Sequence, residues 1–410
     1  MKLPPLRTID IVPIEHEGEP FFCLYDPGNF VDERLILSPS AVFVASMLDG
    51  ENGAEDIQRA FHTQSGGAAL AAKQILEIVS HLDRSGFLLT ERFDGILMRV
   101  TEEFRHADAR PAFHAGRSYP ADPDELRDFL DGQFKREGGP GQREDAPPSG
   151  VDVLPGLIVP HIDFGRGGHS YAHGYAALSR HAKPDTVIVF GVAHAAEPVP
   201  FILTRKQYET PLGAVRADEE IISVLEKACS WDPYAFEFAH RGEHSIEFQA
   251  VMLAHLYGTE VRIVPILCSM FGQDFVDGDP TATQPITNFL RTCNECIRSS
   301  EKKIVVVASA DLAHVGRRFG DPFDIDEAVV EAVAQRDAED LSHVDSIDAE
   351  RFYASVMKDG NQRKVCGVNC IYSALRALDG IATVGEALHY GYAEDPAGGI
   401  VSFASVALRA

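Results

Sequence analysis

Positive charge is what this sequence is short of: 37 Lys and Arg stand against 62 Asp and Glu, a formal charge of −25 at pH 7 over 410 residues. A field of that sign repels phosphate backbones and anionic lipid, which argues against nucleic acid and membrane surfaces as partners. Long apolar runs are missing too. Nowhere do about 18 uncharged apolar residues follow one another, and the opening MKLPPLRTIDIVPIEHEGEP has no apolar core of signal-peptide length. The expectation is a cytoplasmic protein. Cysteine is sparse, and seven of them, an odd number spread over a long chain, do not make a disulfide framework. Nor is there a Walker loop, a GxSxG elbow or a GxGxxG between strand and helix, which argues against phosphoryl transfer and serine hydrolysis.

What is present is a globular composition, with 45% hydrophobic and 24% charged residues, in a chain long enough for two domains. Residues 1–95 read as a first domain. Extended stretches around FFCLYD precede three segments with apolar residues at helical spacing, LSPSAVFVASMLDG, EDIQRAFHTQ and AAKQILEIVSHLDRSGFLL. Ser38-Pro39 starts the first of these and Asp49-Gly50 stops it. Small strands with three helices predict a winged-helix-like α+β unit. Residues 1–100 carry 8 Lys and Arg against 15 Asp and Glu, which argues against DNA as its ligand. Residues 96–410 read as the second domain. Within it, KREGGPGQREDAPPSGVDVLPG, residues 135–156, replaces any apolar period with Gly, Pro and charge and is expected to be a flexible loop.

From Leu154 onward, short β-branched runs (GLIVP, VIVFG, VRIVPIL, KIVVVAS) alternate with amphipathic segments. This predicts an α/β fold, a central mixed sheet flanked by helices, with antiparallel pairs added by ALHYGYAE and GIVSFASVAL. Three of the buried runs end in polar groups: LIVP in His161, VIVFGVA in His194, and VVVASA in Asp311, with His314 three residues later. Ligands of open α/β sheets bind outside the carboxyl ends of the strands. One histidine at a strand end is ordinarily a hydrogen-bonded loop residue; three strands delivering imidazole or carboxylate to one edge point to a metal site.

The third ligand has two candidate sources. Glu243 and Glu247 open the helix EHSIEFQAVMLAHLYG, where acidic residues also serve as caps. Cys366, in RKVCGVNCIYSALRAL, sits at a helix start behind Arg363 and Lys364, and both features favour a thiolate; Cys370 reads as core. Cys293-Asn-Glu-Cys296 lies inside a helical pattern without a second pair and is not a zinc ribbon. His169 and His173, four apart near the candidate site, fit a solvated helix face.

Residues 1–95 resemble PqqD-like domains, which bind peptides or partner proteins, in "DG…EDI…F" followed by "ILEIVSHLDRSGFL". From about Pro111 to the C-terminus the chain resembles the Memo family, which includes the AmmeMemoRadiSam system protein B group. The matching segments are HAGRSYP at His114–Pro120, VPHIDF around His161, FGVAH ending at His194, YETPLGAVRAD at Tyr208–Asp218, EHSIE at Glu243–Glu247, SADLAHVG at Ser309–Gly316 and CGVNC at Cys366–Cys370. The chain has Ile162-Asp163 where many relatives have Ala-Gly, Ala195 where they often have a second His, and Asn369 where some have His.

The resemblance implies a fold similar to class III extradiol dioxygenases of the LigB type, with His161, His194 and Cys366 as metal ligands. Asp311, His244 and His314 are implied as the catalytic residues of the pocket. It further implies iron or copper, ahead of zinc, as the cofactor and a small molecule or modified peptide as substrate, with radical-SAM and Amme-type proteins as partners. The activity implied is that of a dioxygenase-like, metal-dependent oxidoreductase. The alternative is a non-catalytic peptide- or protein-binding adaptor, or a copper- or iron-binding protein using the same pocket.

Overall fold

The computed structural model describes residues 2–16, 18–141, 152–195, 197–269, 271 and 283–410. It divides into two compact units, Met1–His106 and Ala107–Ala410. Helix α4, named below, spans the 95/96 junction drawn from the sequence and carries the division to its own last residue. Residues 142–151 of the loop expected at 135–156 lie outside the described residues.

The first unit contains strands β1 (Asp10–His16), β2 (Glu19–Tyr25) and β3 (Leu35–Leu37) and helices α1 (Pro39–Ser46), α2 (Ala54–Gln64), α3 (Ala72–Arg84) and α4 (Glu91–His106). Its strands form an antiparallel sheet in the order β1-β2-β3. Ser38 caps α1 as the sequence predicts, its Oγ accepting from the Ala41 amide, with Pro39 in the first turn. Leu24, Leu35, Leu37, Val44, Ile57, Ile75 and Leu82 share one core. Beside it lies a buried ion pair, Arg7 Nη2 to Asp26 Oδ2 at 3.0 Å, with side chains 5% and 1% exposed. The Arg7 guanidinium also lies 3.7 Å from the centroid of Phe93 in α4.

The second unit holds β4 (Ala109–Arg110), α5 (Pro123–Lys135), β5 (Gly156–Val159), α6 (Phe164–Ser179), β6 (Thr186–Val192), β7 (Phe201–Leu203), β8 (Gln207–Tyr208), α7 (Glu219–Glu226), α8 (His244–Tyr257) and β9 (Arg262–Cys268). It continues with α9 (Gln284–Ser299), β10 (Ile304–Ser309), β11 (Asp311–Val315), α10 (Glu327–Asp345), α11 (Ala349–Met357), α12 (Val368–Ala377), β12 (Val384–Asp395) and β13 (Gly399–Arg409). Eight strands form one mixed sheet in the order β11-β13-β5-β10-β6-β9-β7, with β12 paired to β13. Its centre, β5-β10-β6-β9, is parallel. The antiparallel pairs include β12 with β13, as the sequence predicts.

Alternation along the central strands builds two cores. Ile188, Phe190 and Val192 of β6 join Ile222, Phe289, Phe352 and Ile371 from α7, α9, α11 and α12 on one face. Val187 and Val189 join Leu130, Tyr175 and Val251 from α5, α6 and α8 on the other. With both faces covered, the strands read as continuous apolar runs, and polar residues are expelled to the strand ends. No helix among the described residues is long and apolar enough to cross a membrane.

The Arg7–Asp26 pair gives the first prediction. Arg7→Met leaves a carboxylate buried without its counter-ion, and denaturant unfolding should show a loss of about 3 kcal/mol or more in the stability of the first unit. An unchanged midpoint would mean that the amides of Gly28, Phe30 and Val31, which Asp26 also accepts, suffice to hold it.

Candidate metal centre

Parallel pairing puts the ends of β5, β10 and β6 side by side, so His161, Asp311 and His194 emerge at one edge. β10 does not pass into a helix there. It continues in the same direction as β11, antiparallel to β13, with a break in register between Asp311 and His314. Residues three apart on a regular strand face opposite sides; the irregularity lets Asp311 and His314 both reach Cys366. One ligand atom from each of Asp311, His314 and Cys366 lies within 4.8 Å of the others, and the same holds for His161, His194 and Cys366.

His161 is 1% exposed. Its Nδ1 is 3.0 Å from the Ser309 carbonyl, which turns Nε2 to Cys366 Sγ at 3.2 Å. Its backbone amide and that of Ile162 donate to Asp311 Oδ1 at 2.9 and 3.1 Å, so Asp311 fixes the turn that carries the ring. The other oxygen, Oδ2, is 3.6 Å from His161 Nε2. Behind the turn, Gln249 Nε2 donates to the Pro160 carbonyl and to Ser309 Oγ, and Ser309 Oγ donates to the Ser245 carbonyl. These bonds tie the ends of β5 and β10 to the first turn of α8.

His194 is held differently. Its Nδ1 is 3.0 Å from both oxygens of Glu243, and its amide donates to Oε2 at 3.1 Å. Glu243 is also the cap of α8, accepting from the Ser245 amide. Cap and imidazole partner are thus the same carboxylate, which orients the ring and leaves Nε2 for a ligand. His244 Nδ1 lies 3.3 Å from the same carboxylate, and its ring stacks on His194 at 4.8 Å and 18°.

The charges follow from this packing. Burial pushes His161 toward its neutral form. Burial also opposes the His194 imidazolium, but Glu243 outweighs it and raises His194 above the usual imidazole value. Burial disfavours the charged form of Glu243 as well; even so, the bond from His194 and the neighbouring imidazoles hold it well below the usual carboxylate range. His244 is pushed down to about 3, chiefly by burial.

Cys366 departs from the sequence expectation. Burial pushes its thiol up, and the Asp311 and Glu243 carboxylates push it further. The cations expected to favour a thiolate are engaged elsewhere, Arg363 with Asp337 and Asp340 and Lys364 with Asp321. Without an ion this is a thiol. Gly367 sets its position: a Cβ there would lie 2.4 Å from Ala310 Cβ and 2.7 Å from the Asp311 carbonyl, so a larger residue would push Cys366 off the β10–β11 junction.

The donor set fits a metal ion. Two imidazole nitrogens and a sulfur meet at the strand edge, with His161 buried, Cys366 half-buried and His194 exposed, and the 3.2 Å between His161 Nε2 and Cys366 Sγ is close to the spacing of about 3.3–3.8 Å that ligand bonds of 2.0–2.3 Å give around a tetrahedral ion. His314 and His244, expected in the pocket, are there. His314 Nδ1 is 3.1 Å from the Leu312 carbonyl, the ring also meets the Lys364 backbone, and burial outweighs these and keeps it neutral.

Glu247 proves to be no ligand candidate. It is fully buried against Arg110, and it accepts from the Tyr119 hydroxyl and, at 2.9 Å, from the His114 amide. Arg110 Nη2 donates in turn to the Glu243 carbonyl at 2.8 Å. Sequence reasoning gave Arg110 no role, although a basic residue just ahead of HAGRSYP is the partner a buried glutamate requires. His169 and His173 do not lie on a solvated face; they are half-buried against His389. Cys293 and Cys296 lie within α9, as expected.

Comparison with known proteins agrees with this architecture. The profile of the family described as Memo-like protein matches residues 110–407. A MEMO1 family protein of Aquifex aeolicus is 27% identical over 405 residues, covering 98% of this chain and 99% of its own length, so that similarity spans both units. A MEMO1 family protein of Methanopyrus kandleri is 30% identical over 304 residues, 72% of this chain and 97% of its own. A third, from Desulfurococcus amylolyticus, is 27% identical over 289 residues, 69% of this chain and 92% of its own.

Glu243→Gln keeps the size of the side chain and removes its charge. The pKa of His194 in the metal-free protein should fall, because burial then acts on the imidazolium without its counter-ion, and NMR titration of the ring measures it. Metal affinity should drop about 10–100-fold, read by competition with a chelator.

Proposed function

The chain belongs to the Memo-like protein family, and on that premise we propose that it is a dioxygenase-like, metal-dependent oxidoreductase. The ion of its active centre is held by His161, His194 and Cys366, and it acts on a small organic molecule or a modified peptide. The observation that carries this reading is the convergence of those three donors within 4.8 Å, beside two further imidazoles. A bound ion would supply Lewis-acid or oxygen-binding chemistry. Soft sulfur beside two imidazoles lets copper and zinc compete with iron, and the redox chemistry proposed calls for copper or iron.

The chain's own residues hold and move protons. His314 donates from Nδ1 to the Leu312 carbonyl, so Nε2 accepts; its lowered pKa keeps it an acceptor at neutral pH. His244, at about 3, is also neutral. Both serve as bases toward a substrate hydroxyl rather than as acids. Asp311 positions His161 through two backbone amides.

Ion binding needs Cys366 as thiolate and His194 with Nε2 unprotonated, and so releases protons. In a buffer-dependence titration the number released per ion should be highest below the raised pKa of His194 and fall toward one as pH rises through it. Cys366→Ser should remove about one proton from the count. The wild type should bind one equivalent of copper or iron at this centre, and His161→Ala with Cys366→Ala should bind none there; unchanged binding would overturn the ligand set. With metal and substrate present, His314→Gln should retain the ion and lower turnover by about 10²-fold or more.

One observation favours a complementary role for the first unit. Val12, Cys23 and Ile36 form a cross-strand row, with Val12 43% and Ile36 55% exposed. Such a row suits a peptide or partner protein, the role a PqqD-like domain would play beside a radical-SAM or Amme-type protein. Capture of such a partner by the full chain should be lost in Val12→Lys/Ile36→Lys with the metal stoichiometry unchanged.

A further inference from the structure

His169 and His173 lie four apart on α6 and therefore on one helix face. β12 packs along that helix and brings His389 between them. The His389 ring meets His169 edge to face at 4.6 Å and stacks on His173 at 5.1 Å and 20°. Two features place His389 there. The β12–β13 pairing breaks register between Ala387 and His389, and such irregularities re-aim side chains. Two residues on, Gly391 leaves room, since a Cβ there would stand 3.0 Å from His389 Cε1.

Two nitrogens in this group are left over. His169 Nδ1 and His389 Nδ1 are buried and have no hydrogen-bond partner. Burying such an atom unbonded costs free energy, so a native structure ordinarily offers it water or an ion. His173 is engaged only through Nε2, 2.8 Å from the Gly138 carbonyl, which leaves Nδ1 as its lone-pair nitrogen.

We propose that His169, His173 and His389 form a second transition-metal site, for a divalent ion of the zinc, nickel or copper type, separate from the centre at the strand edge. Two imidazoles at i and i+4 on a helix form a natural chelating pair, and a third from an adjacent strand completes an all-nitrogen set with positions open to water. The rings now pack edge to face and face to face, and the trio's nitrogens are spaced more widely than those of the first centre; capture of an ion turns them about their χ angles. Burial, aided by Arg136 and His173, keeps His169 neutral, and burial with the two neighbouring imidazoles pushes His389 down to about 4. Neutral rings are the form that binds metal.

The test uses zinc alone with the full chain. Calorimetric titration of the wild type should give two equivalents. His161→Ala/Cys366→Ala should keep one, and adding His389→Ala to that variant should weaken the remaining event by about tenfold or more, with circular dichroism confirming the fold. If the variant of the first centre does not fold, X-ray absorption of wild-type protein gives the same answer: the second equivalent should show a nitrogen and oxygen shell without sulfur. A single equivalent in the wild type, or a second event untouched by His389→Ala, would overturn the site. Either failure is distinct from a failure of the first centre, which would show as loss of the sulfur-containing equivalent.

Discussion

A single buried carboxylate takes both oxygens to one histidine ring and closes the first turn of a helix. Glu243 caps α8, grips His194 through ring and backbone, and lies beside His244. Its own carbonyl is held by Arg110, whose charge is balanced by Glu247 one helical turn further along α8. The arrangement ties two buried carboxylates to one buried guanidinium and one imidazole, and removing Arg110 would strand Glu247 without its counter-ion. His194 can present Nε2 outward because this network leaves it no other orientation.

His161 is fixed by neutral means. Its ring is set by a backbone carbonyl and its turn by Asp311, so the two imidazoles of the centre differ in kind: burial drives one to neutrality and a counter-ion raises the other. Cys366, with the cations of its own loop taken up by Asp337, Asp340 and Asp321, stays a thiol until something positive arrives. A site that accumulates carboxylates around a thiol and two imidazole nitrogens has its electrostatics arranged for a cation.

Much of this was legible beforehand, because it rests on pattern. Continuous apolar runs predict buried parallel strands, and a polar residue at the end of such a run has only the rim to occupy; His161, His194 and Asp311 were placed by that logic. The capping of α1 by Ser38 and the antiparallel terminal pair were legible for the same local reasons. Three features were not. The passage of β10 into β11 is one, because nothing in SADLAHVG announces an irregular pairing with β13. The charge state of Cys366 was misread because adjacency in sequence put Arg363 and Lys364 beside it, whereas their guanidinium and ammonium groups turn away to α10 and Asp321. His169 and His173 were read as a solvated pair because their neighbour His389 lies more than two hundred residues along the chain.

The sequence by itself determined the layered α/β architecture, the edge at which chemistry gathers and the residue types delivered there, since alternation, strand length and capping are local and survive without coordinates. Only the tertiary structure decided which carboxylate serves as partner and which as counter-ion, which nitrogen of each ring is free, and whether a thiol is charged. Those depend on distances of a few ångströms between segments far apart in the chain and on the exclusion of water around them, and no spacing of residues encodes either.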